Sequence, residues 1–157
     1  VHLSKAAMTP LQIGKILNFV HTPVNRKFIE TIAQRGSCKH CDFRYIKGFK
    51  HALKKYAGEF IHYSPVNLLN AHTVELRLFA GTVDLEVFLK NLEFCHALAK
   101  FTFPGTVSIQ ASSSVREFIN FVKKNRLFYP NLVNFLTTRG YAELSSVKDS
   151  KNHRKVR

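Results

Sequence analysis

Apolar and polar positions alternate over Thr73-Val74-Glu75-Leu76-Arg77-Leu78-Phe79-Ala80-Gly81-Thr82. Val74, Leu76 and Leu78 fall on one side and Glu75, Arg77 and Phe79 on the other, the period of a half-buried strand. Short strands are also expected at 59–63, 66–69 and 107–110. Elsewhere the apolar spacing is helical. Thr9-Pro10 reads as an N-cap followed by Pro at the first helical position, with Ile13, Ile16, Leu17 and Val20 on the buried face and Pro23 as the stop. Asn25 is expected to cap a second helix that buries Phe28, Ile29, Ile32 and Ala33 and closes at Gly36. Asp84 to Phe101 is the clearest helix, with Leu85, Phe88, Leu92, Cys95 and Ala99 as its core stripe and His96 beside it as a structural residue. Ser114 and Glu117 form a capping box for a helix burying Val115, Phe118, Ile119 and Val122. Asn131 opens a last short helix, which Gly140 stops.

These elements predict an α+β fold, a small mostly antiparallel sheet with helices packed on one face. Residues 1–144 make one domain, and 145–157 a basic tail. The chain has 157 residues, 45% of them hydrophobic and 14 of them Phe, enough for a core. Lys and Arg number 24 against 10 acids, a formal charge of +14. That surface suits polyanions, so nucleic acid is a candidate partner. The stretch 36–58 interleaves Lys and Arg with Phe43, Tyr45, Phe49 and Tyr56, as single-strand-binding surfaces do. A solvated face over an aromatic core has the same composition.

No apolar run is long enough to span a membrane and no signal peptide is legible, so a cytoplasmic location is expected. Three cysteines make no disulfide framework and read as reduced thiols. Cys38-Lys39-His40-Cys41 offers two or three zinc ligands, short of the four a structural site needs, with His21, His51 and His62 as the remaining donors. P-loop, dinucleotide-fold and nucleophile-elbow motifs are missing from the sequence.

Candidate chemistry rests on Glu75 and Arg77. Two positions apart on a strand, they point the same way, roughly 7 Å apart along the backbone. The acid supplies hard oxygen for Mg²⁺ and the guanidinium matches phosphate oxygens. The competing reading is a structural ion pair.

The run from Val66-Asn67-Leu68 through Thr73–Thr82 resembles the hallmark segment of the amidoligase family, a phage- and bacteria-associated branch of the glutamine-synthetase-like carboxylate–amine ligases. Val1-His2-Leu3-Ser4, Leu11–Leu17, Asn25–Arg35, Asp84–Ala99 and Phe118–Gly140 resemble other segments of it, so the likeness covers roughly residues 1–140. The resemblance implies part of a glutamine-synthetase-like catalytic domain that uses ATP and Mg²⁺ to join a carboxylate to an amine, peptides among the substrates. By the same resemblance Glu75 is the metal ligand and a catalytic residue with Arg77. His2 and Arg35 approach the nucleotide phosphates, and Asn67 and Thr82 shape the substrate side. The family's two-His run is cut to His2 and its upstream acids are missing. The expectation is therefore a C-terminal portion whose site an upstream segment or second chain completes. The alternative is a basic nucleic-acid-binding or assembly module on a ligase-like scaffold.

Overall fold

A computed structural model describes residues 1–36, 41, 50 and 64–141. The strand expected at 59–63, most of the basic–aromatic stretch 36–58, Cys38, His40, His51, His62 and the tail 145–157 lie outside the described residues.

The architecture is α+β. Strand β1 (His2–Ser4) leads through a 3-10 turn (Lys5–Ala7) to helix α1 (Pro10–His21), then α2 (Arg26–Ala33). Strands β2 (Val66–Asn67) and β3 (Thr73–Leu76) follow, then helices α3 (Leu85–Phe101), α4 (Val115–Lys124) and α5 (Pro130–Thr138). The strands form an antiparallel sheet in the order β1-β3-β2. Hydrogen bonds prolong both ladders past the strand ends: Leu76 N donates to Val1 O at 2.7 Å and Arg77 N to Pro65 O at 2.8 Å. Alternation persists through Leu78, with Val74, Leu76 and Leu78 buried and Glu75 and Arg77 half-buried. No helix among the described residues is long and apolar enough to cross a membrane.

The buried face of the sheet joins a core shared by the five described helices, dominated by Phe19, Phe28, Phe94, Phe101 and Phe118. Helix α1 buries the expected Ile13, Ile16, Leu17 and Val20. Its N-cap is also as expected, with Thr9 Oγ1 accepting from Gln12 N at 3.2 Å. Helix α4 buries Phe118, Ile119 and Val122. Its capping box is half made: Ser114 Oγ accepts from Glu117 N at 3.2 Å. Ser114 N instead donates to Ala111 O in the preceding 3-10 turn. Helix α5 is capped from a distance, by the Glu93 carboxylate accepting from Asn131 Nδ2 (2.6 Å) and Leu132 N (2.7 Å). A carboxylate is favourable at that positive helix end.

Three expectations need correction. Helix α3 is rotated from the expected stripe. Leu85, Phe88 and Leu92 are exposed, and the buried residues are Lys90, Asn91, Phe94, Cys95, Ala97, Leu98 and Phe101. This helix is apolar nearly all round, so two stripes at helical spacing compete. Lys90 and Asn91 disguised the one that packs. Cys95 lies on both stripes, and burial raises its thiol to about 12, in keeping with a packing role. His96 is exposed, its ring 5.8 Å from that of Tyr129. The second correction is residues 107–110, which form no strand. Lys15 Nζ reaches the Val107 carbonyl at 2.7 Å, and Ser108 O accepts from Ser112 N in a turn.

The third concerns both ends of α2. Asn25 does not cap it: its Nδ2 donates to Phe19 O (2.9 Å) and Ser113 O (2.8 Å), tying α1 to the turn before α4. Asn25→Ala would leave both carbonyls short of a donor in a buried place, at a cost of about 1–3 kcal/mol, read as a lower denaturant midpoint. The helix ends at Gln34, in the left-handed region at φ 54°, before Gly36. Its last carbonyls have distant partners: Ala80 N donates to Ala33 O at 3.0 Å, and Lys90 Nζ to Ile32 O at 2.5 Å.

Lys90 is 1% exposed, with Nζ 4.5 Å from the Phe135 ring centroid. Burial lowers its ammonium to about 8. The folded state therefore releases a proton that the unfolded chain keeps up to its ordinary value near 10.5. The penalty is present in full below about pH 8 and disappears as pH rises towards 10.5, so stability climbs across that window. Relative to Lys90→Met, the protein should gain on the order of 3 kcal/mol there, measured by urea unfolding at stepped pH.

Candidate functional site: a cleft beside Glu75 and Arg77

Strand register assembles this site. Both ladders meet at Glu75: His2 of β1 is its partner on one side and Asn67 of β2 on the other. Directly paired residues project from the same face, so His2, Glu75 and Asn67 form one polar row across the sheet, opposite the core-facing Val74 and Leu76. Glu75 Oε1 accepts from Arg77 Nε at 2.9 Å, and Oε2 from Asn67 Nδ2 at 2.8 Å. Asn67 Oδ1 accepts from Leu69 N at 3.0 Å, which fixes the amide with its donor towards Glu75. His2 Nε2 lies 3.8 Å from Glu75 Oε1, and His2 Nδ1 is 2.9 Å from Thr73 Oγ1. Lys5 Nζ donates to Leu68 O at 2.8 Å and to Asn70 O, pinning the β2–β3 turn that carries Asn67.

Burial alone would raise the Glu75 carboxyl. The hydrogen bonds from Arg77 and Asn67, with the charges of Arg77 and His2, outweigh it and hold the group below its ordinary value. Glu75 is thus an anion at neutral pH, already oriented by its neighbours.

An open cleft of about 310 Å³ lies beside this pair. Glu75, Arg77, Gly81 and Thr82 border it from the strand side, and Phe88, Asn91 and Leu92 of α3 from the other. Thr82 is exposed, and its Oγ1 accepts from Asp84 N at 3.0 Å, shaping the turn into α3. The leucines take the core, and the charged pair, on the other side of the strand, borders the opening.

The other expected residues are arranged around the cleft, outside its lining. His2 is largely exposed and reaches it only through Glu75. Asn67 is buried and positions the carboxylate. Arg35 Nη2 donates to the Arg77 carbonyl at 3.0 Å, bracing the end of the strand, while Arg35 Nε has no partner among the described residues.

Sequence reasoning missed Asn91. It is 6% exposed, it borders the cleft, and among the described residues its Oδ1 has no hydrogen-bond donor. Buried amides are ordinarily satisfied. The available signal was an Asn at mid-helix on a face otherwise filled by Phe94 and Leu98. Phe88 and Leu92 were missed for the same reason, having been assigned to the core.

Among the described residues no three His, Cys, Asp or Glu side chains come close enough to hold a metal. For zinc, Cys41 is buried and His21 Nε2 lies 3.4 Å from Ser64 Oγ. Mg²⁺ has a different requirement: one or two carboxylates, with substrate phosphates and water as the other ligands. A carboxylate offers about four lone-pair sites; on Glu75, Arg77 and Asn67 take two at 2.9 and 2.8 Å, and Asn70 Nδ2 reaches Oε2 at 3.5 Å. The cleft therefore fits a cation brought with a phosphate ligand and offers no complete protein cage. No family model, curated protein or solved structure matches the chain.

Proposed function

We propose that this chain is part of an ATP-dependent carboxylate–amine ligase, and that the cleft beside Glu75 and Arg77 is where phosphate and cation meet. The observation that supports it most is the convergence of an oriented carboxylate and a guanidinium on one open cleft, reached through the segment that resembles the amidoligase hallmark. In such a reaction ATP phosphorylates a carboxylate, and an amine then displaces the phosphate. Negative charge concentrates between the phosphates and the acyl group, so fixed positive groups that need no reorganisation lower the barrier.

Each residue has a role on this reading. Glu75 would hold Mg²⁺ through the lone pairs of its oxygens that its hydrogen-bond donors leave open. Arg77, aligned by its bond to Glu75, would meet the transferring phosphoryl group. Asn67 keeps the carboxylate in place, and the His2 ring stands at its edge, 3.8 Å from Oε1. The Asn91 carbonyl would accept an N–H from the amine. Thr82 shapes the mouth of the cleft, and Arg35 supports Arg77 through its backbone. Further acids would come from an upstream segment or a second chain.

Calorimetric titration with ATP tests the reading. Saturable one-site binding is expected with Mg²⁺ present, with a marked loss when EDTA removes the cation. Binding indifferent to Mg²⁺, or none at millimolar ATP, would count against it.

A further inference from the structure

A second cleft, of about 360 Å³, shares no lining residue with the first. It lies where the C-terminal half of α3, the turn at 102–106, the end of α4 and the 3-10 turn Arg126–Phe128 come together. Its lining is mostly aromatic. Tyr129 is 3% exposed, with its ring 5.8 Å from that of His96 and 6.3 Å from that of Phe121. Phe103 and Phe128 are 51% and 75% exposed, so much of each ring is left uncovered. Phenylalanine rings this open beside a concave site mark a surface that takes a ligand.

The polar groups narrow the class of ligand. Lys100 borders the cleft, is exposed, and has no acidic partner among the described residues. Glu93, the acid on the same stretch of α3, is engaged in capping α5. Asn125 Nδ2 donates one N–H to the Phe121 carbonyl at 2.8 Å, which leaves its second N–H and Oδ1 for a ligand. Lys124 and Arg126, both exposed, continue the positive charge along the chain from Asn125. Flat aromatic faces, an amide acceptor and a cation at the rim together suit a planar heterocycle carrying an anion. The run of cations beyond the cleft suits a chain of such units.

We propose that this second cleft binds a nucleobase of single-stranded nucleic acid, stacked against Phe103 and Phe128, with the adjoining phosphate on Lys100. Stacking of a base on an aromatic side chain contributes about 1–3 kcal/mol with little regard to sequence. The overall charge of +14 alone would attract any polyanion, so the test has to separate base from phosphate. A labelled 12-nucleotide single strand and an abasic strand of equal length are titrated by fluorescence anisotropy at matched salt. The unsubstituted protein should prefer the strand with bases by at least about fivefold. The double variant Phe103→Ala/Phe128→Ala should lose that preference while holding the abasic strand as before. Lys100→Ala should weaken both and lower the slope of log affinity against log salt by about 0.7. Equal binding of the two strands by the unsubstituted protein would overturn the proposal, as would a preference that survives the double substitution. A mononucleotide bound as tightly as the strand, by binding that the double substitution abolishes, would overturn the strand in favour of a free nucleotide. Both substituted rings are largely exposed, so folding is not at stake. None of these variants touches Glu75 or Arg77, so this site and the ligase reading stand or fall separately.

Discussion

Phe118→Ala is expected to lower the unfolding free energy by about 3–5 kcal/mol, enough to leave a marginal domain partly unfolded at room temperature. Phe118 is fully buried and sits at the hub of the aromatic core. Its ring centroid lies 5.1 Å from Phe19, 5.5 Å from Phe94, 5.5 Å from Phe101 and 6.0 Å from Phe28. Those four rings come from α1, α2 and α3, so one side chain on α4 joins three other helices. Truncation removes the transfer energy of the ring and leaves a cavity that rigid aromatic neighbours cannot close. Urea unfolding followed by circular dichroism measures the change. Phe118→Leu, which keeps most of the volume, should lose markedly less. A cost under about 1 kcal/mol for Phe118→Ala would mean that the core is not organised around this ring.

Glu75→Gln should have the largest functional effect. The substitution keeps the shape and removes the charge. Loss of a charged contact to the cation–phosphate ligand is expected to weaken Mg²⁺–ATP binding by about 30- to 150-fold, in line with about 2–3 kcal/mol for charge-assisted interactions. The fold should survive. Arg77 and Asn67 both donate to position 75, and Asn67 is held in its orientation by Leu69 N. A glutamine has one carbonyl oxygen for the two donors, so one hydrogen bond is lost at about 1–2 kcal/mol. The pH response supplies a control. Because the folded carboxyl is held below its ordinary value, its contribution is present above the ordinary carboxylate range and disappears as pH falls through the folded value. Glu75→Gln should remove that part of the acid sensitivity. If the variant unfolded cooperatively and bound Mg²⁺–ATP normally, the role of Glu75 would be structural only.

The sequence disclosed local features well and distant ones poorly, for physical reasons. Helix α4 has one apolar stripe, so Phe118, Ile119 and Val122 were readable, Val115 being only half-buried; α1 is buried all round from Gln12 to His21, and its stripe did not disclose Phe19. Helix α3 is apolar on both sides, and only the core decides which stripe packs; that reversed Phe88 and Leu92 from core to cleft wall. The ends of α2 were misjudged because their partners are remote: Asn25 serves Phe19 and Ser113, and Lys90 and Ala80 meet the final carbonyls. The alternation at 73–79 correctly separated Glu75 and Arg77 from their leucines. Which residues would stand beside Glu75 depended on the register of β1 and β2, some 70 and 8 positions away in sequence. No local pattern encodes that row of His2, Glu75 and Asn67. Asn91 enters only because α3 lies across the cleft from the strand.

Crystallography with Mg²⁺ and a non-hydrolysable ATP analogue addresses the central proposition without the need for a known substrate. The expected result is triphosphate in the cleft between Arg77 and Asn91, with the cation about 2.1 Å from a Glu75 oxygen. Nucleotide bound elsewhere, with Glu75 still engaged by Arg77, Asn67 and Asn70, would contradict it and reduce the pair to a brace between three strands.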